Sequence, residues 1–245
     1  MPRDVSIIIP VNNEEGNIIE LCFKLSKVLD PLALDHEVIF VEDGSSDNTY
    51  ANLLKMHDQD KHVNIIKLRD NFGKSAGLSA GFCYARGKVI ITMDGDLQHD
   101  PEDIPFFLDK INSGYRLVNG WKKKESDDSL CKRIANSIFK ILMRLIFRIR
   151  LNNISSGFKA YHIEDIKNIT LREGLHRFIP VILKNITSIC EIEIKCGRRN
   201  SGKSHYSWKK TIDVCRDIVL LLFRRSHVLR NYSIQDKIEI IKFHP

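Results

Sequence analysis

The chain has 245 residues, of which 43% are hydrophobic, and a net charge of +7. This length is enough for one domain with a full hydrophobic core, which excludes a small scaffold that depends on disulfides or a structural metal. The six cysteines have neither paired nor metal-binding spacing, and no apolar stretch reaches the ~18 residues of a membrane span. A cytosolic protein with reduced thiols is therefore expected.

The charge is divided unevenly along the chain. Residues 1–121 carry 12 Lys/Arg and 19 Asp/Glu, a net charge of −7, whereas residues 122–150 carry +6 and residues 195–230 carry +8. This division predicts a metal and nucleotide site in the acidic half and a contact with an anionic surface in the basic blocks. Nucleic acid is disfavoured as a partner, because the basic residues lack interleaved aromatics and no binding motif is present.

Strands and helices alternate along the first hundred residues. Apolar runs predict strands at residues 5–10, 37–41, 63–68 and 88–93, with a helix after each of the first three. Asp47 is the expected N-cap of the second helix, and Pro101 is expected to open the helix that follows the fourth strand. Such alternation predicts an α/β fold with a mostly parallel sheet flanked by helices. A short strand is expected again at residues 237–243.

Two carboxylates follow the fourth strand directly. Asp94 and Asp96 stand where an apolar run ends, which is where ligands bind in open α/β sheets. Acids this close repel each other unless a cation lies between them, and hard oxygen ligands favour Mg²⁺ or Mn²⁺. Gln98 adds a neutral oxygen. The alternative is an ordinary surface turn, for which Asp-Gly is a common pair.

The glycine-rich stretch at residues 71–81 matches neither a phosphate-binding loop with its lysine nor a dinucleotide fingerprint. Its small residues are best explained by close packing of a helix on a strand, although Lys74 is within reach of a phosphate. Residues 133–150 form a predicted basic amphipathic helix. Its basic stripe comprises Arg133, Lys140, Arg144 and Arg148, and Phe139 and Phe147 are among its apolar residues. It is either a packed helix with a solvated face or a helix that lies on an anionic bilayer.

Six motifs together resemble the family 2 glycosyltransferases of the GT-A fold, and most closely their polyprenyl-phosphate branch. The motifs are IPVNNEE (residues 9–15), VEDGSSDNT (41–49), MDGDLQHDPE (93–102), SSGFK (155–159), HRFIP (176–180) and RNSGKS (199–204). The resemblance implies a Rossmann-like nucleotide-sugar-binding domain with amphipathic C-terminal helices. It also implies an inverting transfer of a sugar from a nucleotide-sugar to a polyprenyl phosphate.

The resemblance assigns roles to particular residues. It implies that Asp94, Asp96 and Gln98 hold Mg²⁺ or Mn²⁺, and that Asp96, Lys159 and Arg199 act in catalysis. The implied nucleotide-sugar contacts are Pro10, Asn12, Glu14, Val41, Asp43, Asp94, Gly95, Gln98, Lys122, Arg133 and Lys203. Because an acceptor phosphate is already ionised near neutral pH, it needs positioning more than deprotonation.

The sequence departs from the family pattern at four points. Asn12 replaces a usual Tyr, Glu42 a usual Asp and His205 a common Lys, and the membrane helices that end most bacterial members are absent. We therefore expect a glycosyltransferase domain at residues 1–210 and a basic extension at 211–245, peripheral on the cytoplasmic membrane face. An anionic membrane surface and a small membrane-anchoring subunit are the expected partners besides donor and acceptor.

Two other functions are compatible with the sequence. One is a soluble GT-A enzyme that glycosylates a saccharide in cell-surface polysaccharide synthesis. It needs a catalytic carboxylate placed against the acceptor; no candidate stands out, and Asp100 and Glu102 are the first two to test. The other is a non-catalytic membrane-bound partner subunit, against which the intact Asp94, Asp96 and Gln98 argue.

Overall fold

The computed structural model describes residues 3–122, 140–141, 143–167, 169–171, 174–183 and 188–195, and the backbone of 240–244. The strands are β1 (Arg3–Val11), β2 (His36–Asp43), β3 (Val63–Leu68), β4 (Gly87–Thr92), β5 (Leu117–Trp121), β6 (Lys159–His162), β7 (Ile189–Glu193) and β8 (Ile240–His244). The longer helices are α1 (Ile18–Leu29), α2 (Thr49–Gln59), α3 (Lys74–Tyr84) and α4 (Ile104–Asn112). Two shorter helices are α6 (Ile163–Ile166) and α7 (Ile179–Leu183), and the described part of α5 comprises residues 140–141 and 143–147.

The eight described strands belong to one sheet in the order β7-β5-β6-β4-β1-β2-β3-β8. The pairs β1–β2, β1–β4, β2–β3 and β5–β7 are parallel, while β6 and β8 run antiparallel to their neighbours. The four predicted strands and the short strand near the C terminus are thereby confirmed. Since β1 lies between β2 and β4, the chain changes direction across the sheet there, and the carboxyl ends of these three strands form the ligand-binding edge of such folds.

The core has one layer on each face of the sheet. Alternate residues of β1 point to opposite sides, so that Ile7 and Ile9 pack with α1, α2 and α4, whereas Ile8 packs with α3, α5 and α7. Helix α3 lies close to β1 because it has glycines where it crosses the strand. A Cβ on Gly81 would collide with Ile8, and one on Gly77 would lie 3.2 Å from Pro10 Cβ. The packing explanation of the glycine-rich stretch is confirmed.

Two details of the helices differ from expectation. Asn48, not Asp47, is the N-cap of α2, because Asp47 lies one residue outside the helix and reaches back to accept the Thr49 N–H at 2.9 Å. In α5, Phe147 belongs to the buried core, so the expectation that it faces a membrane is wrong. The helix ends there, since Arg148 has a φ of 54° and so leaves the predicted stripe.

The remainder of the predicted basic helix, including Phe139, and the domain boundary expected at residue 210 lie outside the described residues. Among the described helices, none combines the length and the apolarity needed to cross a bilayer.

A buried polar cluster lies at the edge of the sheet opposite to Asp94. The fully buried carboxylate of Glu37 accepts from Ser6 Oγ at 2.6 Å, and from Arg86 through N (2.8 Å), Nε (3.1 Å) and Nη2 (2.9 Å). Asn64 Nδ2 donates to the same group at 3.4 Å. The cluster connects β1, β2 and β3 to the start of β4 and stabilises the register of the strands.

Glu37→Gln is expected to lower the free energy of unfolding by about 1–3 kcal/mol, because the new amide nitrogen would face buried donors. Urea unfolding measures this change. The matched control is Glu20→Gln, which alters an exposed ion pair with Lys24 on α1 and should cost about 0.5 kcal/mol or less. Equal effects of the two variants would contradict a structural role for the cluster.

Candidate active site

Asp94 lies two residues after the end of β4, and its carboxylate lies between two segments that are distant in sequence. Oδ1 accepts from the ammonium of Lys74, at the start of α3, and the Asp94 N–H donates to His99 Nδ1 at 3.1 Å. Burial opposes ionisation of Asp94, but the charge of Lys74 outweighs it and holds the carboxyl pKa well below its usual range. Burial lowers the pKa of His99 to about 4, so the ring is neutral at pH 7 and accepts this hydrogen bond.

Gly157 covers the other side of the same carboxylate. A Cβ at this position would lie 2.5 Å from Oδ1 and 2.6 Å from Oδ2 of Asp94, which is closer than van der Waals contact allows. Thr92 Oγ1 donates to the Gly157 carbonyl at 3.0 Å and holds the loop there. The glycine of the SSGFK motif is therefore required by the position of Asp94.

Asp96 and Gln98 belong to the tight turn that follows. Asp96 Oδ1 accepts the Gln98 N–H at 3.2 Å, and Leu97 between them has a φ of 60°. Gln98 Oε1 in turn accepts from Lys122 Nζ at 3.2 Å. Gly95 packs against β1, where a Cβ would lie 2.6 Å from Val11 Cγ1. The turn thus brings two carboxylates, an amide oxygen and a lysine to one edge of the sheet.

Asp43 connects the end of β2 to the start of α3. Its buried carboxylate accepts the N–H of Phe72 at 2.7 Å and of Gly73 at 2.8 Å. Asn12 Nδ2 donates to the Asp43 carbonyl at 2.6 Å, which adds the loop after β1. Burial raises the pKa of Asp43, and the charge of Glu42 adds to this effect. These bonds join the end of β2 to the loop after β1 and to the start of α3, where Lys74 contacts Asp94.

The other predicted nucleotide contacts on this edge differ in exposure. Glu14 is partly exposed, with its N–H donating to Thr49 Oγ1 at 2.8 Å, whereas Val41 is fully buried beneath α3. Pro10 is partly exposed and packs on Gly77. Glu42 is buried, and its Oε1 accepts a hydrogen bond from the Ser45 N–H. Its Oε2 has no hydrogen-bond partner within the described part of the chain.

Lys159 is almost completely buried, with 2% of its surface exposed. It begins β6 in register with Thr92 and Asn119, and its ammonium donates to the Ser156 carbonyl. Burial, reinforced by the charge of Lys74, lowers the Lys159 pKa to about 7. Three other predicted cations, Arg133, Arg199 and Lys203, lie outside the described residues.

The sequence model for glycosyl transferase family 2 matches residues 6–170, which include all of these strand ends. The chain belongs to glycosyl transferase family 2. This glycosyltransferase is 31% identical over 225 residues to the dodecaprenyl-phosphate galacturonate synthase of Rhizobium johnstonii, covering 90% of this chain and 67% of the relative. It is also 31% identical over 218 residues to the undecaprenyl-phosphate 4-deoxy-4-formamido-L-arabinose transferase of Shewanella sediminis, covering 88% and 65%. The chain thus spans about two thirds of the length of these relatives.

Solved structures confirm the GT-A fold of the glycosyltransferase. Glucosyl-3-phosphoglycerate synthase from Mycobacterium tuberculosis, in complex with phosphoglyceric acid, superposes with a TM-score of 0.68 at 16% identity, covering 99% of this chain and 90% of the other. The same enzyme in complex with Mn²⁺ and UDP-glucose gives a TM-score of 0.66 at 17% identity, covering 94% and 81%.

The donor atoms at the strand end of this glycosyltransferase fit a divalent cation. Asp94 and Asp96 offer hard carboxylate oxygens, and Gln98 offers an amide oxygen. Within the described ranges, no three His, Cys, Asp or Glu side chains converge to form a complete metal cage. A set of two carboxylates and one amide oxygen suits Mg²⁺ or Mn²⁺, because these ions bind through one or two carboxylates and leave positions for water and substrate phosphates.

Several residues at the site gave no signal in the sequence. The Ser75 hydroxyl bonds His176 Nδ1 at 2.8 Å across 101 residues, bringing the HRFIP motif to the start of α3. Glu191 on β7 accepts the N–H groups of Asn152 (2.7 Å) and Asn153 (3.0 Å), and Asn119 Nδ2 donates to it at 3.0 Å. These bonds hold the loop that leads to Gly157. No local spacing relates these residues, and only the motif around His176 suggested a role.

Proposed function

We propose that this glycosyltransferase moves a sugar from a nucleoside-diphosphate sugar to a polyprenyl phosphate at the cytoplasmic face of the membrane. The observation that carries the proposal is the carboxylate pair after β4, Asp94 and Asp96, which adjoins the basic side chains of Lys74, Lys122 and Lys159. Such a site suits a diphosphate leaving group. The names of the two relatives, each a polyprenyl-phosphate enzyme, support the choice of acceptor.

We infer that the donor diphosphate binds with Mg²⁺ or Mn²⁺ at Asp94, Asp96 and Gln98. The metal would neutralise the charge that develops on the departing nucleoside diphosphate. Cationic side chains contribute in the same direction, since fixed charges near developing negative charge often contribute more to catalysis than any other effect. Lys122 is held beside Gln98, and Arg199 and Lys203 are proposed to complete this set.

The two carboxylates that would be tested first as a base for a hydroxyl acceptor are engaged locally, which favours a phosphate acceptor. Asp100 caps the following turn by accepting the Glu102 N–H at 3.0 Å, and Glu102 pairs with Lys195 at 3.3 Å. An ionised phosphate needs no base at neutral pH, so the site requires only positioning of the attacking oxygen.

The test is a transfer assay with purified protein, a panel of nucleotide-sugars and a short-chain polyprenyl phosphate. The expected result is metal-dependent appearance of sugar in the lipid extract, and its loss in excess chelator. Sugar that reaches only a soluble saccharide acceptor would overturn the choice of acceptor. No transfer and no donor hydrolysis with any nucleotide-sugar would overturn the proposal as a whole.

The described part of α5 supports peripheral binding to the membrane. Met143 and Phe147 anchor the helix in the core, while Ile141 and Leu145, one turn apart, are 57% and 72% exposed. Arg144 is exposed beside them. An exposed apolar pair flanked by a basic residue is the pattern of a helix that inserts shallowly into an anionic interface.

Replacing Ile141 and Leu145 together with serine is expected to weaken binding to anionic vesicles by about tenfold or more, since two buried aliphatic side chains are lost. Vesicle flotation at low and high salt measures this. The matched control is Phe106→Ser on α4, an apolar side chain that is 55% exposed on the opposite face of the sheet. If neither the wild type nor the variant floats, either a small membrane-anchoring subunit supplies the docking or the acceptor is soluble. Co-purification of a small hydrophobic membrane protein would separate these two outcomes.

A further inference from the structure

The ammonium of Lys74 contacts the carboxylate of Asp94, the group that the proposed function assigns to the divalent cation. Both side chains are about one third exposed, 32% for Lys74 and 33% for Asp94. A lysine and a metal ion compete for such a carboxylate, because two cations at contact distance repel each other. We propose that Lys74 is an internal counter-ion that the metal displaces, and that its release couples metal binding to binding of the donor diphosphate.

The position of Lys74 is fixed by the backbone around it, because the start of α3 is held by hydrogen bonds and close packing. It is the first residue of α3, and the two preceding N–H groups are both held by the Asp43 carboxylate. Gly44, with a φ of 65°, lies so close to the following loop that a Cβ would be 2.5 Å from Asn71 N. The helix start is therefore fixed relative to the carboxyl end of β2.

Asp94 is confined from the other side. Its N–H is bound by His99, and Gly157 lies directly against both carboxylate oxygens. The side chain is thus enclosed between Lys74 and the SSGFK loop. We therefore expect a cation that binds the Asp94 carboxylate to displace the Lys74 ammonium from it.

Displacement leaves the Lys74 ammonium in need of a new anion. The neighbouring Lys159 supplies no negative charge for Lys74, and its ammonium already donates to the Ser156 carbonyl. A donor diphosphate bound near the start of α3 supplies the missing negative charge. Metal that binds alone breaks the ion pair between Lys74 and Asp94 and leaves Lys74 without an anion. Metal that binds together with the diphosphate also breaks this pair, but Lys74 then forms a new ion pair with the diphosphate. The two ligands are expected to bind with positive coupling.

The test measures binding of Mn²⁺ alone, using the electron paramagnetic resonance signal of the free ion, so that it does not depend on turnover. Lys74→Met keeps the length of the side chain and removes its charge. We expect it to bind Mn²⁺ about tenfold or more tightly than wild type in the absence of nucleotide. The gain should vanish in Lys74→Met/Asp94→Asn, which locates the metal. Thermal melting of each variant checks that it is folded.

The matched control is Lys88→Met on β4. Lys88 also pairs with a carboxylate, Asp4, at 3.2 Å, but at the opposite end of the strand that leads to Asp94. Its Mn²⁺ affinity should equal that of wild type. An unchanged or weaker affinity of Lys74→Met, or an equal gain in Lys88→Met, would overturn the proposal.

A second titration adds UDP, GDP or CDP in turn. Because the inference depends on the proposed function, this arm separates the two. In wild type, one of the diphosphates should raise the affinity for Mn²⁺, and the same diphosphate should raise it less in Lys74→Met. If none raises it in wild type, the proposed nucleotide and metal site is overturned. If wild type responds and Lys74→Met responds equally, only the role of Lys74 is overturned.

Discussion

Asp96→Ala is expected to lower turnover by about 10³-fold while the protein remains folded. The carboxylate is one of two in the turn after β4, and its loss leaves the diphosphate without part of the charge stabilisation on which catalysis depends. Alanine also removes the hydrogen bond from the Gln98 N–H, which is 3.2 Å long. Asp96→Asn keeps an acceptor for that N–H and removes only the charge, so a similar loss in both variants would assign the effect to the charge.

Turnover is measured with saturating Mg²⁺ or Mn²⁺ and in excess chelator. The control is Asp109→Ala, which alters an exposed carboxylate on α4 and should leave the rate unchanged. A fully active Asp96→Asn enzyme, or a wild type that is indifferent to chelator, would show that Asp96 does not act on a metal-bound diphosphate.

Gly157→Ala is expected to reduce kcat/KM by about 100-fold, because a misplacement of roughly 1 Å at a reacting site has an effect of this size. The new methyl group would lie within 2.6 Å of both Asp94 carboxylate oxygens and push them out of position. Stability should change little, since the methyl group meets the end of a partly exposed side chain and not the packed core. Mn²⁺ affinity in the presence of nucleoside diphosphate should fall together with the rate.

The control for Gly157 is Gly16→Ala, at a glycine that has open space around the position of a Cβ. This variant should match wild type in rate and metal affinity. Wild-type activity of Gly157→Ala would mean that the SSGFK loop moves away from Asp94 in the working enzyme. A loss confined to stability would assign the glycine to packing.

The local features of this site could be predicted because each depends on neighbours in the chain. The apolar runs before Pro10, Asp43 and Asp94 predicted strands, and parallel strands bring their carboxyl ends to one edge. The spacing of Gly77 and Gly81 predicted close helix packing, which the contact of α3 with β1 confirms. The one expectation about packing that failed concerned Phe147. Its position in a basic segment did not reveal that the helix turns this side chain toward the core.

The sequence by itself determined the alternation of strands and helices, the position of the acidic turn at Asp94 and Asp96 after the fourth strand, and the family. Only the tertiary structure decided what surrounds that turn. Strand β6 enters the sheet antiparallel between β4 and β5, and this insertion brings Gly157 against Asp94 although the two are far apart in the chain. The order of strands results from the packing of the whole core, and no local spacing encodes it. The pairing of Lys74 with Asp94 is likewise a tertiary feature. Helix α3 packs on β1 and β4 pairs with β1, and these two contacts together bring the lysine to the carboxylate.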